Sequence, residues 1–452
     1  MAATLSELRA ALDAGRATST GLTEVALERA TDPAGEGARV FTRLYGDKAR
    51  AAAQVSDTLI KAGSPRSPVE GLPVSIKDLF DVAGETTLAG SVARDGAAPA
   101  SAHSQVVRRL LAAGAVLVGR TNMTEFAFSG LGLNPHYGTP LNAFDRATGR
   151  IPGGSSSGAG VSVTDGMAAA AIGTDTGGSV RIPAALCGLT GFKPTARRVP
   201  LQGVLPLSTS LDSIGPLAPS VACCALLDAV LSGEGEDIPP PAMLAGLRLA
   251  APTTVVLDGM DASVAAAFQK ALGILSSAGA KITEIALPEF AALATINAKG
   301  GLAAAEAWHW HRSLIEREGS RYDPRVLVRM MRGRDISAAD YIDVLEARRA
   351  WISAVEARLM PFDAAVLPTV PVIAPVLKEL ERDEAAYSAA NALILRNPTF
   401  INFLDGCALS VPCHAPDTAP VGLMIAAGAG HDRSLLAIGQ AVEAALQASL
   451  RA

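Results

Sequence analysis

Along the chain, short apolar runs alternate with stretches in which apolar residues recur every three to four positions. Runs rich in Val, Ile, Leu and Ala lie at 72–76, 115–119, 167–172, 281–287, 364–367, 408–411 and 421–425. Their length suits buried strands rather than buried helices. Between two of them, 105–113 carries Val106, Val107, Leu110 and Leu111 on one face and ends before Gly114, which predicts a helix. Residues 1–15 read as an amphipathic helix with Leu5, Leu8 and Leu12 inward. Asp261 caps a helix reaching Ser277, and Ser337 with Asp340 opens a long one bearing Ile342, Leu345, Ile352, Val355 and Leu359. Alternation of this kind predicts an α/β protein.

Composition adds limits. The chain has 452 residues, 49% hydrophobic and 18% charged, enough apolar surface for a large core. Length alone suggests roughly three domains, at ~150 residues each. One large unit, 1–452, is the better reading, because the best linker candidate, SGEGEDIPPP at 232–241, also suits a surface loop. The proline-rich 368–375 should be extended. A net charge of −5 without basic clusters points away from nucleic acid and anionic membranes, towards a small substrate. Five cysteines, odd in number and without C-x-x-C spacing, read as reduced, buried thiols. No apolar run reaches about 18 residues and the start lacks a signal core, so a soluble cytoplasmic protein is expected. An exposed apolar helix in so hydrophobic a chain would suit a homodimer.

The chemistry concentrates in two glycine-rich segments, GGSSSG at 153–158 and GTDTGGSVR at 173–181. Glycines let backbone N–H groups converge on a developing oxyanion. The first segment also satisfies G-x-S-x-G about Ser156, with Asp405 and His414 as later partners. That motif needs a preceding strand, however, and RATGRIP is polar and ends in proline. The six histidines include His309 and His311 in an H-W-H, but ligand spacing for a metal is missing, as are the glycine motifs that cradle nucleotides. Neither metal nor cofactor is expected.

The pair of segments resembles the amidase signature family, in which a Gly/Ser-rich stretch precedes G-T-D-x-G-G-S-[IV]-R-x-P. Ser155 and Ser179 stand at the 24-residue separation of that pattern. GLPVSIKDLFDVAGETTLAGS at 71–91 resembles the family's lysine segment, and CGLTGFKPT at 187–195 and LSVPCHAPDTAPVGLMI at 409–425 resemble its later parts. The likeness runs from about 5 to about 445 and is most specific over 71–216. Thr164 departs from the family's Gly, Ala or Ser.

The resemblance implies a mixed central β-sheet flanked by α-helices and a C–N hydrolase of linear amides, or of related carbamates and esters. Ser179 would be the nucleophile, a cis-linked Ser155 the relay and Lys77 the base. It gives Thr176, Gly177 and Gly178, with Ser179, to the oxyanion hole, and supporting places to Ser156, Asp175 and Arg181. Met123, Phe126, Ala127 and Ser129, in TNMTEFAFSGLG, become acyl-pocket candidates. The variable helical region about 288–402 would shape the substrate pocket, with Trp308, Trp310, Tyr341, Trp351 and Tyr387 as aromatic candidates. For Lys77 to act near neutrality its pKa must fall to ~7, an environmental bias of about 4 to 5 kcal/mol. The alternatives are an A-type component of a glutamyl-tRNA amidotransferase and a non-catalytic binding protein.

Overall fold

In a computed structural model that describes residues 3–235 and 238–451, the runs read as strands assemble into one eleven-stranded sheet. In chain order its strands are β1 (Phe41–Leu44), β2 (Pro73–Lys77), β3 (Val116–Thr121), β4 (Ala170–Asp175), β5 (Thr190–Lys193), β6 (Ser213–Ala218), β7 (Arg248–Pro252), β8 (Lys281–Ile285), β9 (Ala364–Pro368), β10 (Cys407–Pro412) and β11 (Gly422–Ala427). The spatial order is β1-β3-β2-β4-β6-β5-β10-β11-β9-β7-β8. The sheet is mixed: β2 runs parallel to β3 and β4, and β7 to β8 and β9, while the other neighbours are antiparallel. β2 and β4 are buried at every position, as strands covered on both faces should be.

All seven apolar runs enter strands, with one shift. The run at 167–172 begins its strand at Ala170, because Met167 and Ala168 still donate their N–H groups to Ser162 O at the end of the Ser157–Thr164 helix. Four strands carry no such run: β1, β5, β6 and β7. The predicted helices form at Leu5–Asp13, Gln105–Ala112, Ala262–Ser277 and Ala338–Leu359. Asp261 Oδ1 accepts from Val264 N at 2.8 Å, and Ser337 with Asp340 completes a capping box. Of the apolar residues on the Ala338–Leu359 helix, Ile342 is exposed. Segment 369–375 is bent and non-helical.

The proposed linker is a loop after the Val221–Ser232 helix, and strands from both sides of it share the sheet. Its Glu236 and Asp237 lie outside the described residues, as do Met1 and Ala2 of the first predicted helix. No helix among the described residues is long and apolar enough to cross a membrane.

The Ser157–Thr164 helix positions the site. Its run SGAGVSV is buried throughout, and it packs on β2, β3, β4 and β6. Small residues make that approach possible: a Cβ at Gly158 would lie 2.5 Å from Val40 O and 2.8 Å from Asn122 N.

Candidate active site

β2 and β4 are parallel neighbours, with Ile76 opposite Ile172, so both strands release their C-terminal ends at the same edge of the sheet. Lys77 closes β2, and Asp175 closes β4 just before the Thr176–Ser179 turn. Catalytic and binding groups gather at such edges because the strands hold them while the loops remain free to vary.

Lys77 is fully buried. Its Nζ donates to Ser155 Oγ at 2.7 Å and to Thr174 Oγ1 at 3.0 Å. Burial pushes the ammonium down to about 7, against the pull of the Asp175 and Asp212 carboxylates. The Gly154–Ser155 peptide is cis. Its flanks are fixed by Gly154 N–H to Gly130 O at 2.8 Å and Thr124 N–H to Ser155 O at 3.0 Å. Ser156 N–H donates to Ser179 O at 3.3 Å, which ties the two glycine-rich segments together beside the serine. The Ser156 hydroxyl faces Thr174 O at 3.5 Å.

Asp175 and Arg181 are both buried, with Arg181 Nη2 2.9 Å from Asp175 Oδ1 and Nε 3.0 Å from Oδ2. Asn402 Nδ2 adds a bond to Asp175 Oδ1 at 2.9 Å. Burial alone would raise the Asp175 carboxyl, yet the guanidinium beside it holds it well below the usual carboxylate range. The same carboxylate accepts from Gly178 N at 2.8 Å and Val180 N at 3.1 Å, and so shapes the turn that carries Ser179. This changes one expectation: the Gly178 N–H points at Asp175, which leaves Thr176, Gly177 and Ser179 as the turn residues that border open space. Gly178 itself takes φ 121°, and a Cβ there would sit 2.6 Å from Pro398 Cβ.

That open space is a cavity of about 160 Å³, bordered by Ser179, Thr176 and Gly177. Ala127 and Ser129 line it; Ser129 Oγ donates to Asn391 Oδ1 at 2.9 Å. Met123 and Phe126, expected beside them, are core residues, and the Phe126 ring meets His311 edge-on at 4.4 Å between centroids. The aromatic candidates also lie elsewhere. Trp308, Trp310 and Tyr341 border a separate cavity of about 480 Å³, while Trp351 and Tyr387 are core residues. What the region 288–402 contributes to the Ser179 cavity is Asn297, Gly300–Ala303, Arg329, Leu395 and Thr399.

The rival arrangements do not assemble. Asp405 pairs with Arg197 at 2.6 Å, and His414 packs beside Gly188. His311 Nδ1 lies 3.0 Å from Tyr322 OH, and burial pushes its imidazole down to about 3. The five cysteines are free and buried. Among the described residues, no group of His, Cys, Asp and Glu could hold a metal ion.

Residues of the site missed in the sequence include Thr174, Asp212 and Arg329. Thr174 and Asp212 belong to the polar surroundings of the lysine, with Asp212 Oδ1 accepting from Thr176 Oγ1 at 2.5 Å; Thr174 stands inside the glycine-rich motif itself, where its position invited the question. Arg329 had no signal, being one of four arginines between 325 and 334.

The model of the family described as Amidase matches residues 22–436. A 2-amino-5-chloromuconic acid deaminase from Comamonas testosteroni is 38% identical over 408 residues, 88% of this chain and 87% of its own. The A-type component of the glutamyl-tRNA(Gln) amidotransferase from Chloroflexus aggregans is 34% identical over 476 residues, covering 97% and 96%. A crystal structure of an amidase superposes with a TM-score of 0.87 at 33% identity, over 98% of this chain and 99% of the other. With the mixed sheet and the signature segments in place, the chain belongs to the amidase signature family and is a hydrolase of carbon–nitrogen bonds.

Proposed function

We propose that the whole chain is one amidase domain that hydrolyses a linear carboxylic amide through an acyl-enzyme on Ser179. The observation that carries this reading is the buried Lys77, placed 2.7 Å from Ser155 Oγ with its ammonium lowered to about 7. A hydroxyl is a poor nucleophile until a base removes its proton, and a lysine neutral near pH 7 can do so. Neutral Lys77 takes the Ser155 proton while Ser155 takes that of Ser179, whose Oγ adds to the carbonyl carbon. The oxyanion then rests on the N–H groups of Thr176, Gly177 and Ser179. Collapse breaks the C–N bond, the leaving nitrogen receives its proton back through Ser155, and water attacks the acyl carbon to release the acid. Asp175 and Arg181 hold the turn and exchange no proton.

The test is intact-protein mass spectrometry after treatment with a fluorophosphonate, on wild type, Ser179→Ala and Ser156→Ala. A single adduct lost with Ser179→Ala alone is the expected outcome. Loss with Ser156→Ala instead would move the nucleophile to the G-x-S-x-G motif, and no adduct in wild type would favour a binding protein.

A second reading, a component of a transamidating complex, draws on the glutamyl-tRNA amidotransferase relatives that match 97% of the chain. Purification of the untagged chain from its own cells separates the two. A stoichiometric complex with other proteins supports transamidation, and a chain active alone supports the amidase.

A further inference from the structure

Most of the wall of the Ser179 cavity is apolar, built from Leu207, Leu211, Leu302, Leu395 and Phe403. Arg329 interrupts it. The residue sits on the Pro324–Met331 helix, and its guanidinium stacks 5.0 Å from the centroid of Phe128, another wall residue. Among the described residues, no carboxylate lies within ion-pair distance of Arg329, and the cavity wall contains neither Asp nor Glu. Burial lowers this guanidinium from its ordinary value. Two neutral polar side chains, Asn297 and Thr399, share the wall.

An arginine half-buried in an apolar wall without an anion is partly desolvated, and that cost is offset when a ligand brings a carboxylate that takes its donors in a fork. The reverse holds for a ligand ammonium, which would be buried beside a like charge with no carboxylate to receive it. The volume limits length. At about 160 Å³ the cavity is close to the ~150 Å³ that accommodates a benzene, so the acyl part is short.

We infer that the substrate is a short amide bearing a carboxylate and no ammonium group, the monoamide of a dicarboxylic acid, with Arg329 as the specificity-determining residue. This rests on the acyl-enzyme at Ser179. It also separates the chain from enzymes that draw ammonia from glutamine, whose α-ammonium has no partner in this cavity.

The experiment compares kcat/KM for succinamic and glutaramic acids, for butyramide and valeramide as neutral counterparts, and for glutamine, in wild type, Arg329→Gln and Arg329→Lys. Wild type should favour the acid amides over the neutral ones by about a hundredfold, the scale set by a buried charge pair. Arg329→Gln should abolish that preference, lowering kcat/KM far more for the acid amides than for the neutral ones, and Arg329→Lys should restore part of it. Equal loss across the panel, or a wild-type preference for neutral amides, overturns the inference; glutamine turned over as well as glutaramic acid overturns the exclusion of the ammonium. Protection of Ser179 from fluorophosphonate by glutarate supplies a readout independent of turnover, and it should weaken about a hundredfold in Arg329→Gln. If Ser179 is labelled but glutarate gives wild type no protection, the inference fails and the amidase reading stands. If Ser179 is never labelled, both fall.

Discussion

Replacing Lys77 with methionine should remove turnover and, at neutral pH, make the protein more stable. A fall from 10.5 to about 7 represents about 5 kcal/mol of bias against the charged lysine. Against this stand the hydrogen bonds from Nζ to Ser155 and Thr174, worth about 1 kcal/mol each, together with the cost of leaving two buried hydroxyls short of a donor. The balance is a gain of about 1 to 3 kcal/mol for Lys77→Met at pH 7. The sign with pH follows from proton counting. An unfolded lysine holds its proton up to about 10.5, whereas the folded one releases it near 7, so in that window the unfolded chain binds more protons and wild-type stability rises with pH. The variant lacks this term, and its advantage should therefore shrink by about 2.5 kcal/mol between pH 7 and 9. Lys193, lowered to about 8 by burial, titrates in both proteins and cancels in the difference. Urea denaturation of the two proteins at pH 7, 8 and 9 measures it. The same ionisation should govern wild-type labelling at Ser179, with the rate falling tenfold per pH unit below 7. A stability difference that stays constant from pH 7 to 9, with labelling indifferent to pH, would refute the assignment of a neutral lysine.

Removing one partner of the buried Asp175–Arg181 pair, as in Arg181→Met, should cost about 3 to 5 kcal/mol in urea denaturation, because the Asp175 carboxylate is left buried with its strongest partner gone. Asp212→Asn should lower kcat/KM by tenfold or more while KM changes little, since the carboxylate that anchors the Thr176 hydroxyl and the Leu207 and Ser208 N–H groups is weakened. Burial raises Asp212 to about 6, so the folded protein binds more protons than the unfolded chain between about 3.8 and 6. Wild-type stability relative to Asp212→Asn should thus decline as pH rises through that range. Treatment with EDTA should leave turnover unchanged; a loss that added metal restores would require a metal-dependent mechanism.

Three of the four strands that sequence patterning missed have local reasons. β5 is four residues long, and β1 mixes Phe41 and Leu44 with Thr42 and Arg43, so neither makes an apolar run. β6 contains Pro216, which ordinarily argues against an interior strand. On the β5 side the pairing is confined to Leu217 and Ala218, and the proline stands in register only with Ile172 of β4. At the site, the lysine segment and both glycine-rich segments were legible because spacing and residue type are fixed by the backbone turns they make. The cavity was not. Its wall is gathered from 127–129, 176–179, 207–211, 297–303 and 329–403, and local periodicity holds no information on which of those positions converge. For the same reason Met123 and Phe126 could not be told from Ala127 and Ser129 on sequence alone, since the four stand within seven residues of one another.

The parallel register of β2 against β4 has a mechanical meaning. A strand that slips by one residue turns every side chain to the opposite face, so the base cannot drift gradually from its hydroxyl partner: it is either in step or absent. The sheet acts as a ruler on which the proton route is marked off in whole residues. The wall bearing Arg329 is held instead by helices that can tilt and exchange side chains in small increments. One molecule therefore combines a discrete part, in which the chemistry is all or nothing, with a continuous part, in which the choice of substrate can be retuned without disturbing the step that breaks the bond.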